Sequence, residues 1–295
     1  MKTLQHRTRS AAKRAFTLIE IMVATVIMVV LVGLVIQITS EVLKVWSRSS
    51  GKLAANAEAR IAMDMITQDL ETAVFRNNGQ QWLRVDAPLE SGGDYKGQTV
   101  GLKLFSPALD RPSGPGDICA IGYRLSYKKS YANGPDVYAL YRMIVDPQVT
   151  FDDYLGSGIP ADSSQGSLAE PGKKQADWSN ASIELDDNYL VSNILGFKVL
   201  IYELDTTDPA LPVAELVNAD DDGELTIDYA YGGTTEANVV STNQLLYADI
   251  ILTVVSDMGL EMLDNIDKLP EDPDDVVALH GETFTRRVNF MAHPL

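Results

Sequence analysis

The chain has 295 residues, of which 45% are apolar, and its mean hydropathy is -0.04. This composition excludes a wholly disordered protein and one with many membrane spans. The 24 basic and 41 acidic residues give a net charge of -17, and so acidic a surface argues against nucleic-acid binding. The single cysteine, Cys119, excludes an intrachain disulfide and a cysteine-rich zinc site.

The N-terminus combines a basic leader, residues 1–15, with a long apolar run. Residues 16–36 are numerous enough to cross a bilayer core of roughly 30 Å at about 1.5 Å per helical residue. The five basic residues of the leader outnumber the three that closely follow the run. By the positive-inside rule, we therefore expect a cytoplasmic leader and an exported C-terminal part.

Three other interpretations of this segment stay open. A cleaved secretory signal usually has an apolar region of about 7–15 residues, shorter than the run here. A plain signal anchor explains everything except Glu20, and a buried core helix leaves the basic leader unexplained.

Glu20 is the unusual residue of the run. A carboxylate in an apolar membrane segment is costly, so it is a candidate functional residue. It lies one helical turn after Phe16. A chain cut before Phe16 would offer a new α-ammonium to this carboxylate, on the same subunit or on a neighbour.

Residues 13–24, with the sequence KRAFTLIEIMVA, resemble the class III prepilin leader of type IV pilins and type II secretion pseudopilins. The resemblance implies that a membrane-embedded prepilin peptidase cuts between Ala15 and Phe16 and methylates Phe16. It also implies that Glu20 guides assembly with other pilin-like subunits after storage in the lipid bilayer. The family normally has glycine where this chain has Ala15.

Helical spacing continues beyond the run. Apolar residues recur at Leu53, Ala57, Ile61 and Met65, which indicates a helix over residues 16–74. The alternative is two helices with a break at 49–51, where Gly51 lowers helix propensity. The first proline is Pro88, so no proline kink is expected.

The remainder favours strands separated by polar loops. Residues 128–136, which contain Asn-Gly-Pro, predict a hairpin turn between the second and third strands. Consecutive strands without an intervening helical pattern favour an antiparallel sheet. Residues 146–182 are expected to form a long surface excursion. The predicted strands are residues 99–105, 118–127, 137–145, 194–203, 245–255 and 283–291.

The predicted fold is therefore α+β, with a long N-terminal helix packed on a mainly antiparallel sheet, as in pilins. We expect a leader at 1–15, a transmembrane segment at 16–40, an amphipathic continuation at 41–76 and an extracytoplasmic head at 77–295. Residues 59–76, 121–125, 140–142 and 284–290 resemble the helix, hairpin and closing strand of J-class minor pseudopilins.

No motif for catalysis or cofactor binding is found. Cys119 is interpreted as core packing, and Arg142 as half of a structural ion pair. Residues 218–224 match the first half of a calcium-binding EF-hand loop, which makes Asp220 and Asp222 weak candidate ligands. The twelfth position is Tyr229 instead of glutamate, so an acidic turn is favoured over calcium binding. The acidic run at 271–275 is predicted to be a solvated loop.

These observations favour a membrane-anchored structural subunit, without catalysis or cofactor, in a type II secretion pseudopilus or a type IV pilus-like filament. It would lie in the bacterial inner membrane with its head exported. The alternative from another class is a signal-anchored extracytoplasmic binding module or enzyme. A major pilin is less consistent with the length and with the single cysteine.

Overall fold

The protein divides into two compact units, Met1–Ser49 and Ser50–Leu295, which are described separately below. The computed structural model describes residues 17–76, 81–89, 95, 99–108, 110, 116–129, 134, 136–155, 180–206, 212–220, 223–225, 227–232, 239–263 and 272–290.

The first element is helix α1, Leu18–Glu71, with 54 residues. The helix is unbroken through Ser49, Ser50 and Gly51, so the single-helix prediction is confirmed and the two-helix alternative is wrong. Its intrinsic propensity comes from Ala, Leu, Met and long polar residues, and Gly51 at the expected break costs only about 1 kcal/mol.

In the second unit, α1 packs on the sheet through a stripe that begins with alanines and continues with larger apolar side chains. The buried residues are spaced three or four apart, as one helix face requires: Ala55, Ala59, Ala62, Met63, Ile66 and Leu70. This face differs from the apolar stripe seen in the sequence. Leu53 is 72% exposed and Ile61 is 52% exposed. The alanines Ala55, Ala59 and Ala62 therefore belong to the face of α1 that packs on the sheet.

The strands in the described part of the chain form one eleven-stranded sheet. Their order is β11-β10-β6-β2-β1-β8-β9, with β3, β4 and β5 continuing from β2 on a second branch and β7 added to β6. The strands are β1 Gln81–Leu89, β2 Thr99–Ser106, β3 Cys119–Lys129, β4 Asp136–Ile144, β5 Tyr189–Ser192, β6 Ile194–Asp205, β7 Val213–Leu216, β8 Tyr229–Gly232, β9 Val239–Ser241, β10 Leu245–Val255 and β11 Gly281–Asn289.

Most neighbouring strands are antiparallel. The exceptions are β8 with β9, and β2 with β6, which meet at the single pair Thr99 and Phe197. All six predicted strands are present, with ends that differ from the prediction by at most two residues. The predicted hairpin is confirmed, because Lys129 pairs with Asp136 at the start of the β3–β4 ladder. The α+β architecture predicted from the sequence is therefore observed.

Short helices complete the head: α2 Pro147–Val149, a π-helical turn Thr150–Tyr154, α3 Asn180–Ile183, a 3-10 turn Asp186–Asn188, α4 Asp257–Leu263 and α5 Pro273–His280. Helix α5 corrects the prediction of a loop at 271–275. The Asp272 side chain caps it by accepting a 3.1 Å hydrogen bond from the backbone N–H of Asp274, and Pro273 occupies the first turn. Of the excursion predicted at 146–182, residues 156–179 lie outside the described part.

Candidate functional site

The first turn of α1 contains Glu20 in a reciprocal cap with Thr17. The Thr17 backbone N–H donates to Glu20 Oε2 at 2.8 Å, and the Thr17 hydroxyl donates to the same oxygen at 2.9 Å. The Glu20 backbone N–H lies 3.3 Å from Thr17 Oγ1. This arrangement is a capping box, in which each side chain satisfies a donor at the helix start.

The capping box changes the interpretation of Glu20. From the sequence, we expected the Glu20 carboxylate to pair with the α-ammonium of processed Phe16. In the structure, one oxygen of that carboxylate already accepts two hydrogen bonds from Thr17. The pattern Thr-Leu-Ile-Glu before an apolar run is the sequence signal of such a cap, and it was overlooked. Within the described residues, the hydrogen bonds to Glu20 all reach Oε2, which leaves Oε1 for a partner from outside.

The other two predicted processing residues, Ala15 and Phe16, lie outside the described residues. Cleavage between them, methylation of Phe16 and a contact between Phe16 and Glu20 therefore stay predictions. The described chain starts at Thr17, directly beside them.

Helix α1 presents an apolar surface that is exposed among the residues that the structure describes. Side chains from Leu18 through Val45 are exposed, among them a dense series of Val, Ile, Leu and Met. Among the described residues, α1 is the helix long and apolar enough to cross a membrane. Burial of such a surface in lipid or against other apolar helices removes the cost of exposing it to water.

At the other end of α1, a buried ionic cluster ties the helix to the β3–β4 hairpin. Arg142 Nε donates to Asp69 Oδ2 at 2.9 Å, and both side chains are almost fully buried. Arg142 Nη1 also donates to Asp110 Oδ2 at 2.6 Å, while the Tyr123 hydroxyl donates to Asp69. The predicted structural role of Arg142 is confirmed, since a buried carboxylate requires such partners.

Burial, together with the nearby charge of Asp69, raises the pKa of Tyr123 well above its ordinary value. The phenol therefore stays protonated and keeps donating to the carboxylate. The cluster joins residues from three separate elements: Asp69, Tyr123 and Arg142. Their spacing in the sequence therefore could not predict that they are in contact.

A second buried carboxylate, Glu203 on β6, was not singled out by sequence reasoning. It accepts hydrogen bonds from the Tyr229 hydroxyl at 2.5 Å and from the Ser241 hydroxyl at 2.7 Å. Burial, followed by the charge of Glu203, raises the pKa of Tyr229 well above its usual range. The groups that contact Glu203 here are hydrogen-bond donors, which stabilise a buried carboxylate. A cation site would instead need further acceptor oxygens, so this arrangement is better explained as packing between strands.

The described residues of the acidic segment at 218–224 have the hydrogen bonds of a turn, as favoured from the sequence, since the Gly223 N–H donates to the Asp220 carbonyl at 2.9 Å. Glu224 donates its backbone N–H to Asp220 Oδ1 at 2.7 Å, and Gly223 adopts a φ of 76° that favours glycine. Asn218 is buried, and its side chain bonds the backbone of Val199 and Ile201, which makes it structural. Asp222 lies outside the described residues. Within the described part of the chain, no group of three or more His, Cys, Asp or Glu residues is placed to hold a metal ion.

Cys119 is buried at the start of β3, beside the strand partner Ser106. Its predicted place in the core is confirmed.

Comparisons with known proteins find a described sequence motif at the N-terminus. Residues 10–36 match the family model described as the prokaryotic N-terminal methylation motif. No curated protein matches the chain significantly. Among solved structures, the chain is similar to a type IV-like pilin, TTHA1219, from Thermus thermophilus. The identity is 11%, the match covers 80% of this chain and 95% of the other, and the TM-score is 0.34.

The methylation motif covers the leader end, the first turn of α1 and most of its apolar surface. The chain thus has a prokaryotic N-terminal methylation motif that continues into an apolar helix, and the two together support a membrane-anchored protein.

Proposed function

We propose that this chain, with the N-terminus of type IV pilins and pseudopilins, is a structural subunit that assembles with other pilin-like subunits. Prepilin peptidase would cut between Ala15 and Phe16 and methylate Phe16, and the subunit would then leave the bilayer for the filament. The observation that carries the proposal is the methylation motif at 10–36 continuing into an exposed apolar helix.

Within this family we favour a minor subunit of a type II secretion pseudopilus, of the J class, over a pilus subunit. The support comes from the sequence of the helix end and hairpin, where Asp69 and Arg142 meet in the structure. We further propose that the protein is stored in the bacterial inner membrane. Its leader would be cytoplasmic and its head exported, as the excess of basic residues before the apolar run favours.

The part of α1 in the second unit supports lateral assembly. One face packs on the sheet through alanines, whereas Leu53 and Ile61 lie exposed on another face. The opposite side of this helix is already packed on the sheet. Its exposed row of apolar side chains is therefore suited to contact with a neighbouring helix. The head itself needs no catalytic group for this role.

The role of Glu20 is tested by two matched substitutions in the full chain. Glu20→Gln removes the charge but keeps an oxygen that accepts from the Thr17 backbone N–H. Thr17→Val removes the hydroxyl of the cap and keeps the charge. If a neighbour's α-ammonium binds Oε1, assembly falls in Glu20→Gln and persists in Thr17→Val.

Assembly is measured as crosslinked subunit ladders in membranes that contain the partner subunits. Equal loss in both variants would assign Glu20 to helix capping alone. Normal ladders in Glu20→Gln would reject the proposed role of the charge and favour the signal-anchored alternative, a binding module or enzyme.

A further inference from the structure

We propose that the apolar part of α1 pairs in the membrane with a second copy of this chain, as a parallel helix dimer joined through the side-chain amide of Gln37. The inference rests on the proposed membrane-anchored function and adds a contact surface to it. We call this surface the Gln37 seam, and it consists of Val26, Val30, Gly33 and Gln37.

Gln37 differs from the other uncharged polar residues of the apolar run. The hydroxyls of Thr25, Thr39 and Ser40 each donate to a carbonyl of their own helix at 2.7–2.8 Å. The Gln37 side chain is exposed, and among the described residues no hydrogen bond to its amide group is found. An amide group offers donors and an acceptor, and leaving them unpaired in lipid is costly. This amide therefore needs a partner from outside the chain.

The uncharged run places Gln37 inside the hydrocarbon core of the membrane. The run extends from Ile21 to Ser40, between the carboxylates of Glu20 and Glu41. At about 1.5 Å per residue, Gln37 lies roughly 24 Å along the helix from Ile21, within a core of about 30 Å. The partner that can offer hydrogen-bonding groups at this depth is another membrane helix.

The Gln37 seam has the spacing and the shape for such a helix. Its four residues follow one another at intervals of four, three and four, as in helices that pack at a small crossing angle. Val26 and Val30 are exposed, and a Cβ on Gly33 would meet nothing within 4 Å. Because Gly33 lies one turn before Gln37 and has no side chain, the second helix can come close enough for hydrogen bonding.

The chemistry of the amide favours a second copy as the partner. Two copies inserted with the same orientation place their Gln37 residues at the same level of the bilayer. A carboxamide is self-complementary, because the N–H of each copy can donate to the carbonyl oxygen of the other. A single polar side chain in an apolar seam also fixes the register of the two helices.

The Gln37 seam is separate from the face that carries Glu20. Gly33 and Gln37 follow Glu20 by 13 and 17 residues, or about 3.6 and 4.7 turns. Both therefore lie more than about a quarter of a turn round the helix from Glu20. The dimer leaves the Glu20 carboxylate accessible for the contact proposed in assembly.

The test uses the full chain in phosphatidylcholine vesicles, without other subunits. A cysteine is introduced on the seam as Val26→Cys, or nine residues later as Val35→Cys. Nine residues make about two and a half turns, so the second cysteine lies on the opposite side of the helix. Both valines are exposed. Copper phenanthroline oxidises cysteines that meet, and the chain without an added cysteine gives the background from the buried Cys119.

We expect disulfide-linked dimers in Val26→Cys and background levels in Val35→Cys. Adding Gln37→Leu to Val26→Cys should weaken dimerisation roughly 3- to 30-fold, measured as the protein-to-lipid ratio at which half of the chains crosslink. Gln37→Asn keeps an amide and should retain most of the dimer. The matched control is Thr39→Val, which removes a hydroxyl already bonded within the helix and should change nothing.

Three results would overturn the dimer. Equal crosslinking in Val26→Cys and Val35→Cys would show that the copies meet without a specific face. Unchanged dimerisation in Gln37→Leu would remove the amide from the contact. Dimers that form only after other pilin-like subunits are added would show that a second copy is not the partner.

The two proposals fail separately. The same vesicles are washed at alkaline pH, which releases proteins that do not span the bilayer. A chain that stays in the vesicles without crosslinking is membrane-anchored, and only the dimer is wrong. If the chain is released, the membrane-anchored function fails with it.

Discussion

At the scale of single residues, the head depends on charges that are buried and fully paired. Asp69 and Arg142 are both nearly inaccessible, and Asp69 also accepts from Tyr123. Removing the Asp69 carboxylate breaks the buried pair and leaves Arg142 with the half-exposed Asp110 as its ionic partner. A fully uncompensated buried charge costs about 3–5 kcal/mol, so the loss here should lie toward the lower end of that range or below it.

Asp69→Asn should therefore lower the free energy of unfolding of a chain truncated before Lys52 by up to about 3 kcal/mol, measured in urea. The matched control is Asp64→Asn, which breaks the exposed pair with Arg286. That change should cost roughly 1 kcal/mol at most. Equal losses in the two variants would show that the buried ion pair contributes no more to stability than the exposed one.

Glycine gives a second comparison of residues. A Cβ on Gly259 would lie 2.4 Å from Val255 Cγ2 and 2.6 Å from His280 Cβ, whereas a Cβ on Gly51 would meet Ser256 at an ordinary 3.5 Å. Gly259→Ala should destabilise the head by about 1–3 kcal/mol through overpacking. Gly51→Ala, inside a helix, should stabilise by about 0.5–1 kcal/mol. Thermal unfolding of the two variants in a chain that still contains Gly51 measures both changes, and a neutral Gly259→Ala would contradict the packing of α4 on α5.

At the scale of elements, helix α1 has two faces with different partners. Leu53→Gln with Ile61→Gln changes the exposed face, so it should weaken crosslinked assembly and leave the urea midpoint of the head unchanged. Ala59→Leu changes the buried face and should destabilise the head by about 1–3 kcal/mol. If the Leu53 and Ile61 variant instead lowers the urea midpoint, that face already packs within the subunit.

These elements also show what a sequence can predict. The long strands β6 and β10 were predicted because dense runs of β-branched and aromatic residues mark them. Strand β1 was missed because Arg84 and Asp86 interrupt its apolar pattern. In the folded chain Arg84 pairs with Asp86, and Asp86 also pairs with Lys103 on the next strand. The sequence does not show these ion pairs. Helix α5 was missed for a different reason: Asp-Pro before an apolar segment is a helix start, but the acidic run was interpreted by its charge alone.

The candidate site also had features that the sequence reveals and features that were missed. Glu20 stood out because a charge in an apolar run is visible in sequence. Its cap by Thr17 was equally visible as a local pattern but was not used. Which face of α1 packs on the sheet was not predicted: the spacing of Leu53 and Ile61 indicated a helix, but both side chains are exposed, and alanines form part of the buried face.

At the scale of the whole molecule, buried phenols make the stability of the head sensitive to alkaline pH. Burial and the adjacent carboxylates raise the pKa of Tyr123 and Tyr229 in the folded state. Their contribution is therefore complete below the unfolded-state pKa of about 10 and is lost as the pH rises toward the folded-state pKa.

The urea midpoint of the head should thus fall as the pH increases above about 10. In Tyr123→Phe the fall should be less steep, because one of the shifted groups is gone. A midpoint whose pH dependence above that value is the same in both chains would contradict the linkage of Tyr123 to folding.

The central claim is that this protein is a processed, pilin-like subunit, and the mature N-terminus tests it most directly. Intact mass and N-terminal sequencing of the full-length protein, extracted from membranes that contain a prepilin peptidase, should give a chain beginning at methylated Phe16. A chain that keeps Met1, or one cut far downstream near Glu58 by an ordinary signal peptidase, would contradict it.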